Sequence, residues 1–227
     1  EFRKYFGNID TVMRWSTGAK NAYSASGGLT KPEFWDKPGI TWTIVSSKGA
    51  YSFRLKDGGT QYNSVSPTIF GPNLKVTLSY LNSKVSSAAL KVIAPTLAAN
   101  VGEVLNLPFN NSTNTEIEEN GTRLLELGRS DWNSYETSWD FKTVHLLSPE
   151  LQEDKLKVVY TNLLFQWESN TEEMLRLEKE NNSIFIKAYG LEDELTPEVP
   201  IEEITLTCNP AYRYGTKISE EEREARL

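Results

Sequence analysis

One cysteine and one histidine restrict the chemistry open to this 227-residue chain. Cys208 has no second thiol to pair with, so an intrachain disulfide is excluded, as suits a reducing compartment. With His145 the sole imidazole, a Cys/His zinc site is excluded. A Ser-His-Asp arrangement would have to use His145, whose setting FKTVHLLSP reads as an ordinary apolar stretch. No run of about 18 apolar residues occurs, so no membrane-spanning helix is expected. The opening EFRKYFGN lacks a signal-peptide pattern, and the expected location is cytoplasmic. It also lacks an initiator Met, which suggests a piece of a longer polypeptide. No internal repeat or low-complexity tract is evident.

The chain does contain six Trp and 38% hydrophobic residues, a composition that builds a core rather than a disordered segment. Its length allows one large domain or two small ones. The net charge of −7 is unevenly spread. Residues 1–110 carry twelve Lys+Arg against six Asp+Glu, whereas residues 111–227 carry twelve against twenty-five. A basic half beside an acidic half points to polyanion contact by the former, or to an ordinary soluble surface with clustered charge.

The early part reads as β-rich. IDTVMRW alternates, and ITWTIVSS (40–47) is dense in β-branched residues, with Trp42 and Ile44 on one face. Lys48-Gly49 reads as a turn and AYSFRL (50–55) as the returning strand of a hairpin. SPTIF (66–70) is a short strand. Leu74, Leu78, Leu81, Val85, Ala89, Val92 and Ile93 recur at steps of three or four, which predicts one amphipathic helix over 73–94, ended by Pro95. Residues 101–109 read as a strand and the polar stretch 110–121 as a loop or linker. Ser148-Pro149-Glu150 carries helix-start signals, with a helix to about Ser169 and a second start at Ser169–Thr171, capped by Gly190. IEEITLTC (201–208) alternates as a strand, NPAYRYG follows as a turn, and ISEEEREARL (218–227) starts a helix.

The segment LKVTLSYLNSKVSSAALKVIAPTLAANVGEVLNLPF (74–109) resembles one found in target-recognition domains of bacterial restriction-modification proteins. RKYFGNIDTVMRW (3–15), GITWTIVSSKGAYSFRL (39–55), SDWNSYETSWDF (130–141), AYGLEDELTPEVP (188–200) and ITLTCNPAYRYG (204–215) resemble, in this order, the adenine-specific DNA methyltransferases of BREX phage-defence systems. The resemblance covers nearly the whole chain. It implies a C-terminal fragment lying downstream of the catalytic domain, in a parent that moves a methyl group from S-adenosylmethionine to N6 of adenine. The fragment itself would bind no cofactor. Its partners would be double-stranded DNA, the missing N-terminal methyltransferase domain and other defence-system proteins, with no membrane. The implied architecture is α+β: a mixed, curved β-sheet target-recognition domain with a packed helix (1–110), a Trp-rich linker (111–147), and a helical spacer with a C-terminal strand and turn (148–227).

Base reading needs donors and acceptors carried into a groove on a rigid element. The hairpin offers Ser46, Lys48, Tyr51, Ser52, Arg54 and Lys56: Lys48 at the turn for a phosphate, Arg54 for a bidentate pair with guanine. The loop-like stretch 14–31 offers Arg14, Lys20, Asn21, Tyr23 and Lys31, with Asn21 suited to adenine N6/N7. Each also has a plain reading as a packed or solvated side chain. Trp132 and Trp139 look like ring anchors, and Leu163, Leu164 and Trp167 like core residues. Asp131, Glu136 and Asp140 suggest helix caps or solvated acids rather than a metal cluster.

Asn209-Pro210-Ala211-Tyr212 follows the expected strand and resembles the adenine-amine-binding motif of N6 methyltransferases. Ala211 replaces its second Pro, and no Gly-rich turn after a strand lies upstream to hold a methyl donor. Three functions therefore stand: the DNA-reading part of an adenine methyltransferase, a protein-interaction scaffold of a defence complex, and a self-contained methyltransferase using Asn209.

Overall fold

The computed structural model describes residues 2–45, 50–110, 115–148, 151, 153, 155–217, 219 and 221–222. The β-branched run at 39–42 and the returning run at 53–56 form the expected antiparallel pair, β1 (Gly39–Trp42) and β2 (Phe53–Lys56), with Ile40 opposite Leu55 and Trp42 opposite Phe53. The expected turn at Lys48-Gly49 lies outside the described residues. β3 (Thr68–Ile69) pairs antiparallel with the other edge of β1, giving the order β2-β1-β3. Gly39 makes this close pairing possible, because a Cβ there would lie 2.5 Å from Thr68 Cγ2 and 2.7 Å from Ile69 O. Ile40, Trp42 and Phe53 are wholly buried on the face that meets the helices. The fold is α+β, with a small antiparallel sheet in place of the mixed one expected.

The free edge of β2 is covered by the chain's own residues 3–6. Tyr5 N donates to Phe53 O at 2.9 Å and Leu55 N donates to Tyr5 O at 2.7 Å, a parallel bridge lying along Arg54. Capping the edge in this way removes a template for unwanted strand pairing.

Several elements differ from the sequence expectation. The amphipathic stretch 73–94 is two helices, α2 (Leu74–Leu81) and α3 (Lys84–Ile93). Ser83 breaks it by capping α3, its Oγ accepting from Ser86 N at 3.2 Å. Asn82, between the two helices, turns its side chain to β2: Oδ1 accepts from Phe53 N and Nδ2 donates to Phe53 O, both at 3.0 Å. The amide thus imitates a neighbouring strand at one residue. The expected strand 101–109 is a short helix, α4 (Val101–Leu105), begun by an Asn100/Glu103 capping box. The supposed loop 110–121 supplies the first turns of α5 (Thr115–Asn133), whose Ile117, Leu124, Leu125 and Leu127 are buried. Stretch 14–31 is not a loop but contains a helix, α1 (Thr17–Ala25).

The two helices expected between 148 and 190 are one 34-residue helix, α6 (Leu156–Tyr189), with the signals at Pro149 and Glu150 outside the described residues. Thr171, read as part of a new start, is buried mid-helix and donates from Oγ1 to Trp167 O at 2.8 Å. Gly190 ends α6 at φ 64°, as expected. Residues 201–208 form no strand; a 3-10 turn (Ile201–Glu203) leads into a stretch in which Leu206 N bonds back to Ile204 O and the amides of Thr207 and Cys208 bond to the Asp131 carboxylate. The expected turn at 209–215 is α7 (Pro210–Tyr214), and most of the expected helix at 218–227 lies outside the described residues.

α5 packs on α2, and α6 packs on α5 and α3. One hydrophobic core links Tyr5, Trp42 and Tyr80 with Leu124, Met174, Phe185 and Leu206, so residues from all three sequence segments share it. Among the described residues no helix is long and apolar enough to cross a membrane.

Candidate nucleic-acid interface

The cations of the first 110 residues divide into buried and exposed sets, and the division overturns part of the charge argument. Arg54 is only 5% exposed and Lys56 1% exposed, so neither reaches a duplex laid on the surface. Arg54 donates to Arg3 O, Ser52 Oγ and Thr43 Oγ1, each at 3.4 Å. Burial, reinforced by Arg3, brings its guanidinium down to about 10. Lys56 donates to Lys37 O at 2.9 Å and lies over the Phe70 ring; burial also lowers its ammonium. Ser52 is buried too, its Oγ accepting from Arg3 N at 3.3 Å. Tyr51 is half-buried and donates to Thr96 O. Ser46 and Lys48 lie outside the described residues. The hairpin expectation fails because residues 3–6 cover Ser52 and Arg54, while Lys37 and Phe70 enclose Lys56 on the face that alternation had left to solvent.

Arg3 and Lys4 are the other two buried cations, and they organise the centre of the molecule. Arg3 Nη1 donates to Asp131 Oδ2 at 3.1 Å and Nη2 to Thr207 Oγ1, while the guanidinium carbon sits 5.1 Å from the Trp132 ring centroid. Asp131, suggested as a cap or a solvated acid, is 7% exposed and also accepts from Thr207 N at 2.7 Å and Cys208 N at 3.0 Å. Lys4 Nζ pairs with Glu178 Oε2 at 2.6 Å, and Lys4 N donates to Thr205 Oγ1 at 2.9 Å. Burial raises the Glu178 carboxyl, opposed by Lys4; burial first, then Glu178, raises the Tyr5 phenol. Trp132 is buried, but Trp139 is 63% exposed and anchors nothing in the core. No cluster of His, Cys, Asp and Glu able to hold a metal occurs among the described residues.

Ser134 Oγ and His145 Nε2 do come within 2.9 Å. The polarity is wrong for a nucleophile. Trp167 Nε1–H donates to His145 Nδ1 at 3.5 Å, which leaves the proton on Nε2. Ser134 therefore accepts from His145 and sends its own proton to Ser130 O at 2.6 Å. The imidazole holds no lone pair toward the hydroxyl, so it cannot serve as its base. The cavity bordering this pair holds about 10 Å³, at most one water.

The Asn209 amide is spent on its own backbone. It is 1% exposed; Oδ1 accepts from Ala211 N at 3.0 Å, and Nδ2 donates to Ile201 O and Ile204 O, both at 2.8 Å. This is a helix cap with Pro at the first helical position. Tyr212 donates its hydroxyl to Phe2 O. Neither the amide nor the hydroxyl faces a base.

The second candidate stretch has the opposite character. α1 has no buried residue. It is held at its root by rings: Trp15 and Trp35 meet edge to face with centroids 5.0 Å apart, and Lys20 Nζ lies 5.7 and 5.3 Å from their centroids. Ser16 caps the helix, accepting from Ala19 N, and Tyr23 donates its hydroxyl to Arg14 O at 3.1 Å. Arg14, Asn21 and Lys31 are exposed, whereas Lys20, in the clamp, and Tyr23, bonded to Arg14 O, are half-buried. The structure thus brings the five together on one excursion, three facing solvent and two supporting them. The serine before the helix was the one sequence signal for α1.

No family model matches the chain. It is similar to the adenine-specific methyltransferase PglX of Lacticaseibacillus casei (strain Zhang), 32% identical over 212 residues, which are 87% of this chain and 18% of that protein. It is also similar to the adenine-specific methyltransferase BrxX of Escherichia coli O9:H4 (strain HS), 29% identical over 220 residues, 95% of this chain and again 18% of that protein. The chain therefore spans under a fifth of the length of these relatives.

Proposed function

Because nearly all of this chain is homologous to one segment of the adenine-specific methyltransferases PglX and BrxX, we propose that it is the DNA-target-reading part of such an enzyme, acting in BREX-type phage defence. Methyl transfer from S-adenosylmethionine belongs to another part of the parent polypeptide. The observation that carries this reading is the commitment of Asn209: the one motif here that resembles an adenine-binding centre uses its amide to cap α7 and tie down residues 201–204. What remains for such an enzyme is substrate reading, and the exposed excursion bearing Arg14, Asn21 and Lys31 supports that role. Double-stranded DNA is the partner, with the methyltransferase domain of the parent and other defence proteins around it.

With Arg3, Lys4, Arg54 and Lys56 buried, the grip on phosphate is weaker than the sequence charge suggests. The isolated chain should bind duplex DNA weakly at low salt, with affinity falling as salt rises, and should give no heat with S-adenosylmethionine in calorimetry. Binding of S-adenosylmethionine with methylation of adenine by this chain alone would overturn the reading. So would absence of duplex binding at low salt together with capture of a defence-system protein, which favours the scaffold role.

A further inference from the structure

Each of the helices α2 to α6 gives side chains to the shared core. The excursion between Asp10 and Lys37 does not: its helix α1 buries nothing. A nine-residue helix is too short to persist in water on its own propensity, and this one carries Gly18 and contributes no apolar face. It is kept in shape by the Trp15–Lys20–Trp35 clamp, the Tyr23-to-Arg14 hydrogen bond, the Ser16 cap and the bond from Trp35 Nε1 to Thr30 O at 2.9 Å. All of these contacts are internal to the excursion. An ordered, self-braced helix that contributes nothing to the core has its outer face free for another molecule.

The charge of the excursion selects the partner. From Thr11 to Pro32 there are three cations and no Asp or Glu; Asp10, Glu33 and Asp36 lie at the two roots. At 1.5 Å per residue α1 is about 14 Å long, a length that fits a major groove roughly 12 Å wide. The half-buried side carries Lys20, in the clamp, and Tyr23, bonded to Arg14 O. The opposite side carries Gly18, Ala22 and Ala25 around Asn21, all exposed. Asn21 is the one long polar side chain there, and an amide is the group that makes a bidentate pair with adenine N6 and N7.

We propose that residues 10–37 are the sequence-reading element: α1 enters a groove of duplex DNA, Asn21 offers its amide to a base edge, and Arg14 and Lys31 hold flanking phosphates. Lys20 is a positioning residue that acts through the Trp15–Trp35 clamp. This rests on the DNA-reading function proposed above and specifies where that function resides.

The test uses the full 227-residue chain and a pool of random-sequence duplexes, with selection and fluorescence anisotropy at several salt concentrations. Three variants accompany the wild type: Asn21→Ala, Arg14→Ala/Lys31→Ala, and replacement of residues 11–36 by a short Gly-Ser linker. Asn21→Ala should keep the salt slope yet lose roughly tenfold of the preference at one position of the selected sequence. Arg14→Ala/Lys31→Ala should weaken binding to all sequences alike and reduce the salt slope by about two ions' worth. The linker variant should melt as the wild type does but lose sequence selection. If the wild type binds and all three variants select the same sequence with unchanged affinity, this inference falls while the DNA-reading function stands. If the wild type does not bind duplex at all, both fall. Should the linker variant misfold, the two point variants still decide, because they alter exposed side chains only.

Discussion

Replacing Asp131 by leucine removes the charge that compensates a guanidinium buried to 2% exposure, and the cost follows from the geometry. Asp131 accepts three hydrogen bonds: from Arg3 Nη1 and Thr207 N on Oδ2, and from Cys208 N on Oδ1. Breaking a buried ion pair by removing one partner costs about 3–5 kcal/mol. The two amides left without acceptors add to this, at about 1–3 kcal/mol for each that water cannot reach. A loss of at least about 4 kcal/mol is expected, a fall in Tm of roughly 10 °C or more for a chain of this size. Arg3→Met should cost less, since the carboxylate keeps both amide donors. The double variant Arg3→Met/Asp131→Leu should be more stable than the sum of the single losses predicts, by about 2 kcal/mol or more, because no orphaned charge remains. Urea unfolding followed by tryptophan fluorescence gives all four corners of the cycle. A loss below about 1 kcal/mol for Asp131→Leu, or strict additivity of the pair, would refute the claim that this carboxylate is a buried hub.

Asn82→Ala should cost about 1–3 kcal/mol in the same assay, because Phe53 N loses its acceptor while Phe53 O keeps the bond from Tyr5 N; an Asp there should not fully restore stability, since a carboxylate oxygen would face Phe53 O. Burial pushes the Cys208 thiol well up, and the neighbouring Asp131 pushes it further, so the native protein should resist a thiol reagent at mildly alkaline pH and react only after denaturation. Rapid labelling of the native state would contradict the burial. The Arg123 fork holds the Glu173 carboxyl below its ordinary value of 4.5, with Nε and Nη2 each 2.8 Å from its oxygens. A carboxyl lowered in the native state stabilises it at pH values above its unfolded pKa, and that contribution disappears as pH falls through the lowered native value. The stability difference between wild type and Arg123→Gln should therefore be constant from neutral pH to about 5 and shrink below 4.5, to be checked by urea midpoints across that range.

The hairpin, the Gly190 cap and the α+β class were legible because each rests on a local signal: β-branched residues in sequence, a glycine able to take φ 64°, alternating patterns then helical ones. Apolar spacing from Leu74 to Ile93 hid the break at Asn82-Ser83, since the steps of three and four continue across it; the break is made by the Ser83 cap together with the long-range bonds of Asn82 to Phe53. Thr171 misled in the opposite direction, as a threonine satisfied within its own helix looks in sequence like a start. Residues 201–208 alternate as a strand does, but the amides of Glu203, Ile204 and Leu206 turn back to local carbonyls and those of Thr207 and Cys208 go to Asp131, 76 residues from Thr207, a partner that no local pattern reveals. At the candidate interface, Arg14, Asn21 and Lys31 are exposed, whereas Arg54 and Lys56 are covered by residues 3–6 and Phe70. Which cations a distant segment covers is decided by topology, and strand periodicity alone does not encode it.

The seating of Arg3 and Lys4 sets a timetable for the protein's birth on the ribosome. Their counter-charges and acceptors are Asp131, Glu178, Thr205 and Thr207, up to 204 positions downstream. At translation rates of about 5–20 residues per second, Arg3 and Lys4 wait on the order of 10–40 s before the last of these emerges. Until then two charges lack their partners, so nascent chains halted before residue 205 should depend on chaperones more than chains extended past Thr207.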